Sequence, residues 1–231
     1  MFSFIQLQTD TIANAASNVV IEQVAPNTEM SVLGFILKGG IFLIPIAILL
    51  FYTFYLIIER YLYITKTSKI DDRLMQDVGD KLNSGNIELA RTIVERSDTA
   101  ASNILKEGVL VIGRPIAEIE ANMDRAADIE IAQMESKLGH LGLIAGIAPT
   151  LGFVGTISGV IKIFYSISVT ENISIGNISG GLYEKMISSG AGLIVGIIAY
   201  SAYHILNGKI DDFALKIQKQ ILAFVNIIQR A

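Results

Sequence analysis

Glu184 precedes two adjacent hydroxyls, Ser188 and Ser189, in a stretch that is otherwise largely apolar and rich in glycine, and a third hydroxyl, Thr156, sits in a second such stretch. An ionisable side chain near the centre of a bilayer costs about 2.5 to 3.5 kcal/mol on insertion scales, so Glu184 is expected to face a protein interior or water. A carboxylate exchanges protons, and hydroxyls donate and accept hydrogen bonds. Thr156, Ser188 and Ser189 can line the same interior space as Glu184. Each hydroxyl alone has a plainer use, a bond back to the carbonyl four residues earlier; the combination with Glu184 weighs against that use for all three. If the two stretches are antiparallel helices with Thr156 level with Ser189, Lys162 lies about 9 Å and Glu184 about 7.5 Å outward of that layer. Glu184 is then expected to pair with Lys162 or Lys185, which holds the carboxylate ionised near the outer mouth. The alternative is that both lysines reach the headgroups instead.

Other chemistry is thinly supplied. The chain has no cysteine, so it offers no thiolate, disulfide or cysteine metal site, and only two histidines, His140 and His204. Ser158 with His204 suggests an intramembrane serine protease, but their places in the two stretches separate them by roughly 25 Å along the membrane normal. A serine and its base must be within hydrogen-bond reach. A formal charge of -4 and the lack of a basic face argue against a nucleic-acid partner. The reading is of a non-enzymatic protein without cofactor or metal.

The elements that must position these groups follow from composition. With 52% hydrophobic and 17% charged residues and a mean hydropathy of +0.53, the 231-residue chain is too apolar for a wholly water-solvated surface. Residues 39–58 contain no charge, and at about 1.5 Å per residue they cover a hydrocarbon core of roughly 30 Å. This run is too long for a signal-peptide core and lacks a basic leader, so it is read as a retained span. A second run covers 138–164 and a third 180–206. Pro45 and Pro149 fall inside the first two, where neighbouring helices or hydroxyls can take up the freed carbonyls. Gly142, Gly146, Gly152, Gly155 and Gly159 in the second run, and Ser188, Gly192 and Gly196 in the third, permit close helix contact.

Lysine and arginine set the orientation. Arg60, Lys66, Lys69 and Arg73 follow the first span and Lys209, Lys216 and Lys219 the third, which places the amino terminus outside and the carboxyl terminus inside. The expected fold is all-α, with three transmembrane helices and long cytoplasmic helical extensions. Its parts are an outer, periplasmic N-terminal segment over 1–34, transmembrane helices over 35–60, 137–168 and 180–206, a cytoplasmic helical domain over 61–136, a periplasmic loop over 169–179 and a cytoplasmic C-terminal helix over 207–231. Phe2, Phe4, Ile5 and Leu7 leave the first segment open between a short interfacial helix and a disordered one. Within the cytoplasmic part, a helical hairpin turns at Asn83–Asn86, and a helix from Ile116 is expected to run unbroken into the second span. After Asn207 and Gly208 a separate helix carries Ile210, Phe213, Ile217, Ile221, Phe224 and Ile228 on one stripe, read as packing that includes neighbouring subunits, with packing on its own cytoplasmic domain as the plainer alternative.

The second span, IAGIAPTLGFVGTISGVIKIF, the third, from Glu184, EKMISSGAGLIVGIIAY, and the first, with Pro45 and Glu59-Arg60, together resemble the ExbB/TolQ/MotA proton-channel family, and most of all ExbB, over most of the chain after about Ser31. Ser189 stands at a family threonine, and Ile198 where the family has a proline. The resemblance implies a subunit of the bacterial inner membrane that forms a homo-oligomeric ring, a pentamer. The ring surrounds an ExbD-like or TolR-like single-span partner and drives a TonB-like or TolA-like protein with the proton motive force. It further implies that Thr156 and Ser189 are the proton-path hydroxyls, with Ser188 beside them and Glu184 as the lumen carboxylate. Three spans favour ExbB or TolQ over four-span MotA. A TolQ-like role in envelope maintenance and a passive membrane scaffold are the alternatives.

Overall fold

A computed structural model describes residues 40–170 and 175–230, apart from the side chains of Asp72, Asn177, Glu184 and Arg230. All regular structure among these residues is α-helical. The first helix, α1, is Leu43–Thr67. Pro45 lies in its first turn, where an N–H would have no helical acceptor, so it frees no carbonyl and needs none of the rescue expected for it. α1 runs on past Glu59, and closes with the Ser68 N–H donating to the Ile64 carbonyl at 2.8 Å.

Three short helices follow, α2 at Asp72–Asn83, α3 at Ile87–Glu95 and α4 at Ala100–Leu110. Each is started by a side chain of the expected type. Asp71 accepts from the Arg73 N–H at 3.0 Å and Asn86 from the Leu89 N–H at 3.3 Å. Thr99 and Ser102 cap one another's backbone reciprocally. The hairpin between α2 and α3 turns where the sequence places it, with Gly85 at φ 73°.

The long helices differ from expectation in two places. α5, Ile116–Glu135, does not run into the next helix, α6, Leu138–Thr170. Ser136 turns extended and Lys137 adopts φ 67°, a left-handed conformation unusual for lysine. The apolar periodicity continues across this break, so the sequence pattern hides it. The last helix, α7, is Ile175–Arg230, a single helix. It begins inside the expected outer loop, and Asn207 and Gly208 do not interrupt it. Their intrinsic cost is about 1 kcal/mol or less each, and Leu206 and Ile210 on either side are buried to 2% and 1% exposure. Packing therefore overrides the turn signal.

Among the described residues, three stretches are long and apolar enough to cross a membrane: Leu43–Thr67, Ile116–Thr170 and Ile178–Gln229. α6 and α7 pack along each other, and α1 lies against both. Their outer faces carry Phe51, Phe164 and Ile194 exposed, as lipid contact requires. At the far end, α2, α4 and α5 gather around the last turns of α7. There Ile210, Phe213, Ile217, Ile221 and Phe224 are all buried within one chain. Ile228, the last of the stripe, is half-buried, so packing within one chain accounts for most of that stripe.

Candidate functional site

Glycine sets the spacing of α6 and α7. A methyl group placed on Gly152 would meet Ser189 Cα at 2.8 Å and the Ser188 carbonyl oxygen at 3.0 Å. On Gly192 it would run into the Ala148 carbonyl, and on Gly196 it would lie 2.5 Å from Pro149 Cγ and 3.1 Å from the Ala145 carbonyl oxygen. Pro149 has no N–H to give the Ala145 carbonyl. Gly155 faces Ser188 Oγ and Phe42, and Gly159 lies beneath the aliphatic stem of Lys185. Gly146 has open space around it, and Gly142 only grazes Tyr203.

These contacts fix a register about one turn away from the one the sequence suggested. Thr156 is level with Lys185, not with Ser189, which sits opposite Gly152. Thr156 Oγ1 donates to the Gly152 carbonyl at 3.2 Å and to the Lys185 carbonyl at 3.3 Å. The second bond crosses between helices. Ser188 Oγ donates to the same Lys185 carbonyl at 2.9 Å and is fully buried. The two serines are thus unlike: Ser188 is sealed in the helix contact, whereas Ser189 and Thr156 are half-buried at its edge. Lys162 is exposed, beside Ile163, which faces Gly181. Glu184 occupies α7 one residue before Lys185. Its carboxylate, and with it the expected pair with Lys162 or Lys185, lies outside the described side chains.

The protease geometry does not assemble. His204 packs between Tyr200 and Tyr203 at 4.3 and 5.3 Å between ring centroids, and Tyr203 faces Gly142. Ser158 adjoins Gly159, which faces Lys185. Nineteen residues of α7 separate those levels, about 28 Å.

The pair of apolar helices thus meets tightly through glycine and carries hydroxyls at its edge. A profile of the MotA/TolQ/ExbB proton channel family matches residues 96–219. The chain belongs to that family. Among curated proteins it is similar to one from Methanothermobacter thermautotrophicus named a putative biopolymer transport protein ExbB homolog, with 29% identity over 182 residues, 78% of this chain and 64% of that protein. The chain thus spans less than two thirds of that relative's length. An ExbB-like protein of Synechocystis is 26% identical over 74% of this chain and 68% of its own length. The Tol-Pal system protein TolQ of Haemophilus influenzae is 26% identical over 47% of each. Membership in this family, with three apolar helices of spanning length, makes this a membrane protein.

One cluster escaped the sequence reading. Arg60 of α1 is 5% exposed. It grips Glu59 with Nε at 2.5 Å and Nη2 at 2.6 Å, and its Nη1 donates to the Ser136 carbonyl at 2.9 Å and the Gln133 carbonyl at 3.3 Å. Lys137 Nζ reaches Glu59 at 2.9 Å. Arg60 thereby supplies the donors that the end of α5 lacks, and ties the break between α5 and α6 to α1. Glu59-Arg60 counted in the sequence only towards orientation and resemblance; an adjacent acid and base at the end of an apolar run, with Ser136-Lys137 elsewhere, was the available signal.

Proposed function

We propose that this chain is the proton-channel subunit of an ExbB-like motor in the bacterial inner membrane, which uses the proton motive force to energise TonB-dependent transport across the outer membrane. The observation that carries the reading is the bond from Thr156 to the Lys185 carbonyl. It sets the hydroxyl of α6 at the depth of the segment holding Glu184 and one turn from Ser189, at the accessible edge of the helix pair. Thr156, Ser189 and Glu184 line the path; Ser188 secures the contact behind it.

Five copies form a ring around the membrane helix of an ExbD-like or TolR-like protein. An acid on that partner takes up and releases protons at the hydroxyl layer, and the resulting movement is passed to a TonB-like or TolA-like protein. The basic residues after α1 and in the later part of α7 face the cytoplasm, and the amino terminus lies in the periplasm. The reading involves no catalysis and no cofactor; the translocated species is the proton. A TolQ-like role in envelope maintenance is the second reading, supported by the match to the Haemophilus protein.

The test is proton flux into vesicles that contain the chain and its partner. Thr156→Ala and Glu184→Gln are each expected to abolish partner-dependent flux. Unchanged flux and unchanged partner-dependent work in both variants would leave a passive scaffold as the better account. The protein that co-purifies, TonB-like or TolA-like, separates the two motor readings.

A further inference from the structure

We infer that the junction of α1 and α7 holds the phosphate of an anionic phospholipid. Where the apolar runs of the two helices end, their facing edges change character together. Along α1 the exposed residues Ile58 and Leu62 give way to Thr65 and Ser68, and along α7 the exposed Ile205 gives way to Lys209, Asp212 and Lys216. Between these polar edges lies a cavity of about 210 Å³ lined by Thr65, Ser68, Lys209, Asp212, Phe213 and Lys216.

Lys209 is held in place. Its Nζ stands 3.9 Å from the centroid of the Tyr61 ring, a cation over an aromatic face at the depth where tyrosine gathers in membrane proteins. That contact orients the ammonium and leaves its N–H groups available to an anion. Lys216 adds a second positive charge, Asp212 subtracts one, and the hydroxyls of Thr65 and Ser68 add donors, so the site suits a singly charged phosphodiester. Free phosphate shares this chemistry. The lipid is favoured because exposed apolar residues precede the cavity by one or two turns on both helices, Ile58 and Leu62 before Thr65 and Ile205 before Lys209: acyl chains can lie on them while the phosphate enters between the lysines.

The test uses the full chain in neutral detergent, with native mass spectrometry counting retained lipid. Phosphatidylglycerol and phosphatidylcholine of identical acyl chains are compared, with and without inorganic phosphate. The expected result is about tenfold preferential retention of phosphatidylglycerol, lost in Lys209→Gln/Lys216→Gln and kept in Lys66→Gln/Lys69→Gln, two exposed lysines outside the cavity. Asp212→Asn should raise retention, a gain that an unfolded variant cannot imitate. No preference in the parent protein, a preference that survives Lys209→Gln/Lys216→Gln, or equal loss in the Lys66 and Lys69 variant would each overturn the site. Displacement of the lipid by an equal concentration of inorganic phosphate would overturn the lipid as its occupant.

Discussion

Thr156 has one hydroxyl hydrogen and two carbonyls within reach, Gly152 on its own helix and Lys185 on the next. A group that can exchange acceptors is suited to relaying a proton, whereas Ser188, buried and bonded within α7, is placed for packing. Thr156→Val keeps the shape and removes the hydroxyl; it is expected to stop partner-dependent flux at a stability cost of about 1 kcal/mol. Thr156→Ser should retain flux in the same vesicle assay. Gly192 is the opposite case, a residue whose value is what it lacks. Gly192→Ala would push a methyl group into the Ala148 carbonyl and should cost roughly 1 to 3 kcal/mol, measured by thermal unfolding in detergent.

Arg60 acts at the scale of elements. The helices α5 and α6 meet at Ser136 and Lys137, and the guanidinium of a third helix holds the carbonyls freed there. Arg60→Ala leaves those carbonyls without their side-chain donor and Glu59 with Lys137 alone. The expected loss is at the lower end of roughly 3 to 5 kcal/mol, because Glu59 retains some solvent. Amide exchange should quicken over residues 137–141, whose helix start the cluster positions. Arg60→Lys cannot span a carboxylate and two carbonyls at once and should recover little of this. Gly208 tests α7 in the other direction. It is a helical residue with open space around it, so Gly208→Ala should raise thermal stability by about 1 kcal/mol.

Over the whole molecule, the exposed apolar residues fall mainly on the outer faces of the spanning helices, while the far end of α7 is enclosed by α2, α4 and α5. Phe224 is fully buried, and its ring lies 2.8 Å from where a Gly108 methyl group would sit. Phe224→Ala should cost about 3 to 5 kcal/mol. Because the stripe is satisfied within one chain, the number of subunits seen by native mass spectrometry should not change.

The sequence by itself determined the spanning runs, the hairpin at Gly85 and the family, because each is written in local composition or in a short ordered motif. It also singled out Thr156, Glu184 and the serines, since polar groups in apolar helices are conspicuous. Only the tertiary structure decided the register of α6 on α7, the unequal placing of Ser188 and Ser189, the break at Lys137 and the continuity through Gly208. These depend on which backbone approaches which glycine, and on a guanidinium some seventy-five residues away from the carbonyls it holds. Such contacts are long-range, and a local pattern carries no record of them.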